Sequence, residues 1–522
     1  MQNFRLSSRL SIARPGLLSG VCAASVIALL SATVPANALV IPVIDVIPNA
    51  ASGEIGQNSE PSLAVDPLNP NMMISGAFSN ARSGNDLVTP FWISTNEGTT
   101  WSSFGSLPSS DKTLAWRQDG VAALAVTLNV NVFPPPTLLD HLTTFQSGAT
   151  NFGAAINTSP IQSVDQPWIR TGSGGQTYVA SNNFNAANAG GKTASIEVSS
   201  NNGVTYSPTI VLETVSPAGG QDAPSVRTAV NGSTVYAAFT RWGTAVTDPA
   251  SQNTVFTGSN VVVAKSTNAG ASFAAGVTAA NTNGYFSNTN NTPLTLGQER
   301  TGSDIAIAVD PNNANRVVVA YGSAGTTPTS GTLQLHVVES TDGGTTWTQK
   351  FTTSASVRSA LPGLTITQNG DVALLYASFD PVANSLSQHL LTTTDDFATT
   401  TDSLLGMESN TTPVSDFDPY LGDFYDLTSV GNELFGIFSA SNFDNGTLAN
   451  YPDAVFQRCT LGTEGTATFN LCNNAGGTVP LSIDPFVFSL DLSAVTPTPE
   501  PATLTLLGTS LLALAALRRR RT

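Results

Sequence analysis

The side chains best suited to chemistry are spread along this chain rather than gathered in one motif. Acidic residues recur at Glu60, Asp119, Asp165, Asp222, Asp304 and Asp418, several of them within two residues of a proline. Carboxylates converging from such positions could hold Ca²⁺, a hard cation that takes oxygen ligands. The run Asp416, Asp418, Asp423, Asp426 offers the same donors, with Asp418 and Asp423 as the candidate metal ligands. Turn capping by Asp ahead of a strand is the competing reading, and it explains every copy without a ligand. Arg82, Arg117, Arg241, Arg300 and Arg358 could clamp a carboxylate, which requires defined bidentate geometry; surface salt links are the alternative. Trp242, Phe184, Tyr420 and Phe443 could stack on sugar rings or pack under their own loops. No H-E-x-x-H, G-x-S-x-G, P-loop or paired C-x-x-C is present, and there are three histidines. A zinc or Ser-His-Asp enzyme is therefore not expected, and the balance leans away from catalysis.

What must position these residues is a repeated hairpin. Ser340 to Trp347 reads Ser-Thr-Asp-Gly-Gly-Thr-Thr-Trp after the alternating apolar residues Leu333, Leu335 and Val337. Asp342 is suited to accept from turn amides, and Gly343 and Gly344 to adopt φ > 0. Ser340 and Thr346 are expected to pair across the turn, with Trp347 driving apolar surface beneath it. The pattern recurs at Ser94, Asn96, Gly98, Thr100, Trp101; at Ser199, Asn201, Gly203, Thr205, Tyr206; and at Ser266, Asn268, Gly270, Ser272, Phe273. Degraded copies follow the same frame at Thr144, Gln146, Gly148, Thr150 and at Thr393, Asp395, Thr399.

These hairpins resemble the Asp-box of the bacterial neuraminidase repeat, Ser-x-Asp-x-Gly-x-Thr-Trp. The resemblance and the spacing imply an all-β propeller of four-stranded antiparallel blades, with the box between the third and fourth strands. Strand starts at Glu60, Asp119, Asp165, Asp222, Asp304, Leu361 and Asp418 give seven blades, with six as the fallback. Meander topology puts the boxes on one face. The longer connections, such as 181–193, 241–260 and 439–453, share the other face, where binding is expected. Sialidases of this family bind the sugar carboxylate with three arginines and attack with a tyrosine backed by a glutamate. Glu299, Arg300 and Tyr420 are the weak candidates for such a site, but the opening arginine motif is replaced by Glu60-Pro61-Ser62-Leu63.

The two ends read as targeting segments. Arg5, Arg9 and Arg14 precede an apolar run and then Ala36-Asn37-Ala38, a signal peptide over residues 1–38. Residues 39–58 form a lead-in whose strand could close the ring, and 59–492 hold the propeller with its extension. Residues 493–522 carry Pro499-Glu500-Pro501, an apolar membrane helix and Arg518 to Arg521, and resemble the PEP-CTERM sorting signal. That resemblance implies an exosortase-type processing enzyme and the cell envelope, surface or matrix of a Gram-negative bacterium. The formal charge is −16. The two ends hold seven of the 20 Lys and Arg but one of the 36 Asp and Glu, which leaves the mature chain at −22. A surface so acidic repels phosphate backbones and argues against nucleic-acid partners. Cys459 and Cys472 are a candidate disulfide outside the cytoplasm, with two free thiols as the alternative.

The sequence thus predicts an exported module that binds glycan or exopolysaccharide, with no required cofactor and Ca²⁺ as an option. A sialidase-like hydrolase and a structural matrix protein are the alternatives.

Overall fold

The computed structural model describes residues 41–48, 56–79, 82–83, 86–109, 111–129, 139–146, 155–162, 164–183, 192–215, 225–251, 253–286, 304–329, 332–409, 421–442, 454–455, 459–461, 470–472 and 482–494. These residues belong to one compact unit, Leu39–Thr496. The sorting motif at Pro499, Glu500 and Pro501 and the apolar stretch after it lie outside the described residues. Among the described residues no helix is long and apolar enough to cross a membrane.

The chain is an all-β propeller. Six blades are each a contiguous four-stranded antiparallel meander. Blade 1 is Ser59–Val65, Met73–Phe78, Asp86–Ser94 and Ser102–Pro108. Blade 2 is Lys112–Trp116, Ala122–Asn129, Leu139–Gln146 and Ala155–Gln162. Blade 3 is Val164–Thr171, Thr177–Asn183, Lys192–Ser199 and Ile210–Val215. Blade 4 is Val226–Asn231, Thr234–Arg241, Thr254–Ser266 and Val277–Phe286. Blade 5 is Ile305–Asp310, Asn313–Ala324, Leu333–Ser340 and Thr348–Thr352. Blade 6 is Arg358–Ile366, Val372–Asp380, Ser385–Thr393 and Thr401–Ser409.

A further, composite sheet closes the ring. Asp426–Val430, Glu433–Ser441 and Ile483–Asp491 are joined by Val43–Asp45 from the other end of the chain, and the short Ala454–Val455 pairs parallel beyond it at the outer edge. The first strands touch one another around the axis, and the closing sheet touches both blade 1 and blade 6. Closure of this kind removes the exposed edges an open array would leave.

Because each blade is covered on both faces by its neighbours, its inner strands do not alternate in polarity. Val317–Tyr321 and Val372–Phe379 are buried throughout, as expected for strands packed on two sides. The core is accordingly divided, with clusters lying between successive sheets. One joins blades 5 and 6, another blades 1 and 2, and a third the closing sheet and blade 1.

Three expectations need correction. The fallback of six blades holds instead of seven, because the strands after blade 6 form the composite closing sheet and not another contiguous meander. Blade 2 opens at Lys112, not at Asp119, which instead lies in the turn joining the first two strands, where its Oδ1 accepts from the Val121 amide. The stretch 241–260 is largely ordered by pairing, since Thr244–Thr247 extends the third strand of blade 4 as a hairpin. Its Thr and Val residues suit a strand better than a loop.

Candidate functional site

The repeated turns form as a single hydrogen-bonded device. In each, the first hydroxyl donates to the Asx side chain and accepts the amide two residues beyond it. Ser340 Oγ lies 2.8 Å from Asp342 Oδ1 and 2.8 Å from the Gly344 nitrogen. Asp342 then accepts from the Thr346 amide at 2.9 Å and its hydroxyl at 2.7 Å. Ser340 and Thr346 therefore meet through Asp342 rather than directly, as expected earlier. The same backbone bonds recur around Asn96, Asn201 and Asn268, where the Asn Nδ2 donates to the Thr or Ser hydroxyl instead of accepting from it. They recur again around Asp395, although Phe397 at φ 66° takes the glycine's place. Trp101 is buried, but Trp347 is only partly so. The bonds within the turns are joined by one to the neighbouring hairpin, such as Gly343 N to Asn315 O at 2.9 Å and Asn202 N to Gly175 O at 2.7 Å, and the turns lie opposite the interblade connections, where they act as joints. The copy at Thr144 to Thr150 lies largely outside the described residues.

The axis is filled by a buried charged layer. The first strands of blades 1, 3 and 6 each carry a bulge with a positive-φ residue directly before proline, at Glu60 (50°), Gln166 (52°) and Leu361 (58°). Gly422 lets the chain pass close to the first of these, since a Cβ there would sit 2.3 Å from the Glu60 nitrogen. Around them, Gln166 donates to Asp423 at 3.1 Å, and Arg227 donates to Gln166 at 3.3 Å. Arg170 pairs with Asp426 at 2.9 Å. The guanidiniums of Arg170 and Arg227 lie 4.4 and 4.2 Å from the Trp168 ring. Lys112 reaches the Glu60 carbonyl. Burial pulls the Lys112 ammonium down to about 8 against the opposing pull of Glu60, Asp111 and Asp426. Burial likewise lowers Arg227 to about 10. The void left here is about 10 Å³, room for about one water. The layer ties the first strands together, and this void within it is too small for a sugar.

The acidic ring expected to hold Ca²⁺ is thus interleaved with cations where it is described. Among the described residues no group of three or more His, Cys, Asp or Glu is placed to ligate a metal. Asp423 is buried in this layer; Asp222, Asp416 and Asp418 lie outside the described residues.

The other predicted residues separate. Arg117 pairs with Asp119 in a first-to-second turn, on the face of the repeated turns rather than the long-connection face. Arg241 forms a two-pronged pair with Glu213 of blade 3, its Nη2 at 2.7 Å, so it is a tether between blades. Trp242 is buried and stacks on Phe256 at 3.8 Å, which makes it packing, not a sugar platform. Arg358 is buried over the Phe379 ring, and burial lowers its pKa. Arg82 lies in the two-residue strand paired with Leu87. Glu299, Arg300, Tyr420, Phe184 and Phe443 lie outside the described residues.

A cleft that sequence reasoning missed lies between blades 5 and 6, with a volume of about 390 Å³. It opens beside the connection 353–357 and the turn 380–384, hence on the long-connection face. Alternate residues of one blade 6 strand, Val372, Leu374, Tyr376, Ser378 and Asp380, turn toward blade 5. The first two enter the apolar cluster between the blades, and the last three line the cleft. Its polar wall is built across four strands. Ser359, Ser378 and Ser387 are register partners in a row, and Tyr376 faces His389 in the next.

The His389 ring stacks on Tyr376 at 4.9 Å and 14°. Its Nδ1 is 3.3 Å from Asp402 Oδ1, and its Nε2 is 3.0 Å from Ser378 Oγ. With a carboxylate at Nδ1 the ring proton sits there, and Nε2 accepts from the serine. Tyr376 donates to Asp402 Oδ2 at 2.9 Å. Burial, and then Asp402, raise the phenol's pKa far above its ordinary value, so it remains a donor.

Blade 5 has a related pair, Tyr321 stacked on His336 at 5.3 Å, but there Nδ1 meets Thr352 Oγ1 at 3.0 Å instead of a carboxylate. The sequence signal was the repeated Tyr-x-Ser of the second strands, at Tyr321 and Tyr376, each followed by a lone histidine in the third.

Comparison with known proteins bears mainly on the end of the chain. Residues 497–521 match the PEP-CTERM protein-sorting motif, which marks exported proteins of the Gram-negative cell envelope or surface. No curated protein matches the chain. Among solved structures it is similar to the Penicillium chrysogenum alpha-L-arabinanase complexed with arabinobiose (TM-score 0.39, 12% identity, covering 88% of this chain and 99% of that one). It is similar also to the alpha-L-arabinofuranosidase Arb93A from Fusarium graminearum (0.39, 10%, 88% and 99%). A third is a polysaccharide lyase, an ulvan lyase (0.43, 8%, 74% and 92%).

Proposed function

We propose that this exported propeller binds a neutral polysaccharide of the cell surface or matrix in the cleft between blades 5 and 6. The carrying observation is the cleft's polar wall of serine hydroxyls, an imidazole and the half-exposed Asp402 on the long-connection face. Sugar hydroxyls both donate and accept, and a wall of hydroxyls and carboxylate matches them in both directions. The formal charge of −16 disfavours anionic chains and leaves neutral ones unaffected. The sorting tail is read by an exosortase-type enzyme, which leaves the propeller attached to the envelope or released from it. A disulfide between Cys459 and Cys472, whose backbones are register partners, would suit that compartment.

The sialidase-like alternative has less support. Arg117, Arg170, Arg241 and Arg316 are ion-paired, and Arg227 and Arg358 lie against rings.

A glycan array of neutral and acidic polysaccharides, probed with the mature protein, tests the reading. Binding to a neutral glycan that Ser354→Trp or Met407→Trp weakens by about tenfold or more, the scale of one lost close contact, supports it. Binding that ignores both cleft-filling changes, or that is confined to acidic glycans, overturns it.

A further inference from the structure

We infer that the cleft between blades 5 and 6 is an esterase site in which Ser378 is the nucleophile, acting on ester-substituted carbohydrate such as an O-acetylated polysaccharide. This rests on the reading of the cleft as a carbohydrate site. The geometry is that of an activated hydroxyl. Ser378 Oγ, His389 and Asp402 are joined in series at 3.0 and 3.3 Å across three adjacent strands. Nucleophile, base and orienting carboxylate within hydrogen-bond reach are the arrangement acyl transfer needs, whatever the fold that supplies it. Strand register fixes the parts more firmly than loops would, because Ser378 and His389 are clamped by paired backbone on both sides and Asp402, on the outer strand, on one.

Three further features separate this cluster from a packed polar patch. The cluster lines an open cleft of about 390 Å³, large enough to admit a sugar residue beside the serine. The hydroxyls of Ser359 and Ser387 flank Ser378 as its two register partners, and they are the available donors for a carbonyl oxygen that gains negative charge. Ser359 Oγ is buried with no hydrogen-bond partner among the described residues, a cost a structural serine would not be expected to carry. Blade 5 provides an internal contrast. It repeats the tyrosine–histidine stack, but the hydroxyl of Thr352 stands at Nδ1 where blade 6 places Asp402.

The reaction balances without any cofactor. Ser378 Oγ bonds to the acyl carbon as its proton passes to His389 Nε2. The bond from that carbon to the sugar oxygen then breaks, and the Nε2 proton goes to the departing sugar hydroxyl. Water adds to the acyl-serine, giving its proton to Nε2, and the carboxylic acid leaves as Ser378 recovers its proton. Asp402 is a positioning residue, holding the ring with Nδ1 protonated throughout.

The experiment measures release of p-nitrophenol from p-nitrophenyl acetate, and of acetate from O-acetylated xylan, by the mature protein. A fluorophosphonate probe followed by peptide mass spectrometry locates any adduct. The expected result is a covalent adduct on Ser378 and turnover of both substrates. Ser378→Ala should lose roughly 10⁴–10⁶-fold in rate, the scale of removing a catalytic serine, and keep xylan binding to within about tenfold, since one hydroxyl of the wall is lost. Asp402→Asn should lower kcat and shift its pH profile, whereas a partly unfolded population lowers only the apparent kcat. Turnover equal in wild type and Ser378→Ala, or an adduct elsewhere, overturns the esterase. Hydrolysis of the aryl ester with no acetate from xylan overturns the carbohydrate substrate. A wild-type protein that binds no glycan, whether or not it turns over the aryl ester, counts instead against the cleft as a carbohydrate site.

Discussion

Asp342 shows how a single carboxylate organises a turn. Hydrogen bonds from the Thr346 hydroxyl and amide, then from Ser340, hold its carboxyl far below the usual carboxylate range. Three sister turns use Asn at the same position, with the same acceptor oxygen but no charge. A carboxylate with a depressed folded pKa stabilises the protein at pH values above its unfolded pKa, about 3.9. That contribution is lost as pH falls through the lower folded value. Asp342→Asn should therefore fold at pH 7 with a slightly lower Tm and lose less Tm than wild type on acidification below pH 4. Parallel melting curves for the two proteins across that range would show that the charge at Asp342 does not contribute.

At the scale of the element, the turn is a joint between blades. The residue after the Asx and the next both have positive φ, and the second of these packs against the preceding blade. Gly270 and Gly344 have nearly equal φ, 83° and 87°, but unequal space. A Cβ on Gly270 would meet Tyr178 Cε1 at 2.8 Å, whereas on Gly344 the nearest atom, Tyr236 Cε1, is 3.6 Å away. Both alanine variants incur left-handed strain of roughly 1–2 kcal/mol. Gly270→Ala should lose about 1–3 kcal/mol more, because the tyrosine must move in a packed joint. Equal losses in chemical denaturation would mean that the joint yields freely.

This level was also the most legible in the sequence, since spacing alone located the turns, the strand around each and the four-strand unit. The cleft was not legible. Tyr376, Ser378, His389 and Asp402 converge only once three strands are aligned in register, and a one-residue slip in any of them would scatter the set. Asp119 looked like a start because a turn Asp and a strand-opening Asp share the same local chemistry.

At the scale of the molecule, the ring depends on a strand that arrives from outside the repeats. Val43–Asp45 is the fourth strand of the closing sheet, antiparallel to Phe486–Phe488 on one side and parallel to Ala454–Val455 on the other. Ile41, Val43, Val46 and Ile47 are all buried there. Each such side chain is worth about 1.5–3 kcal/mol of apolar burial, against a total stability for a typical domain of roughly 5–15 kcal/mol. Deleting residues 39–48 should therefore open the ring, lowering Tm sharply and exposing the edge of Ile483–Asp491 to proteolysis and self-association. Deleting residues 497–522 removes the sorting motif but none of the described strands. That variant should melt as the wild type does and differ only in where the cell leaves it, in the periplasm or medium instead of held at the envelope. Fractionation and thermal melts on the two deletions separate the roles. A tail deletion that lowers Tm would make the tail part of the fold, and a lead-in deletion that leaves Tm unchanged would mean the ring closes without the lead-in strand.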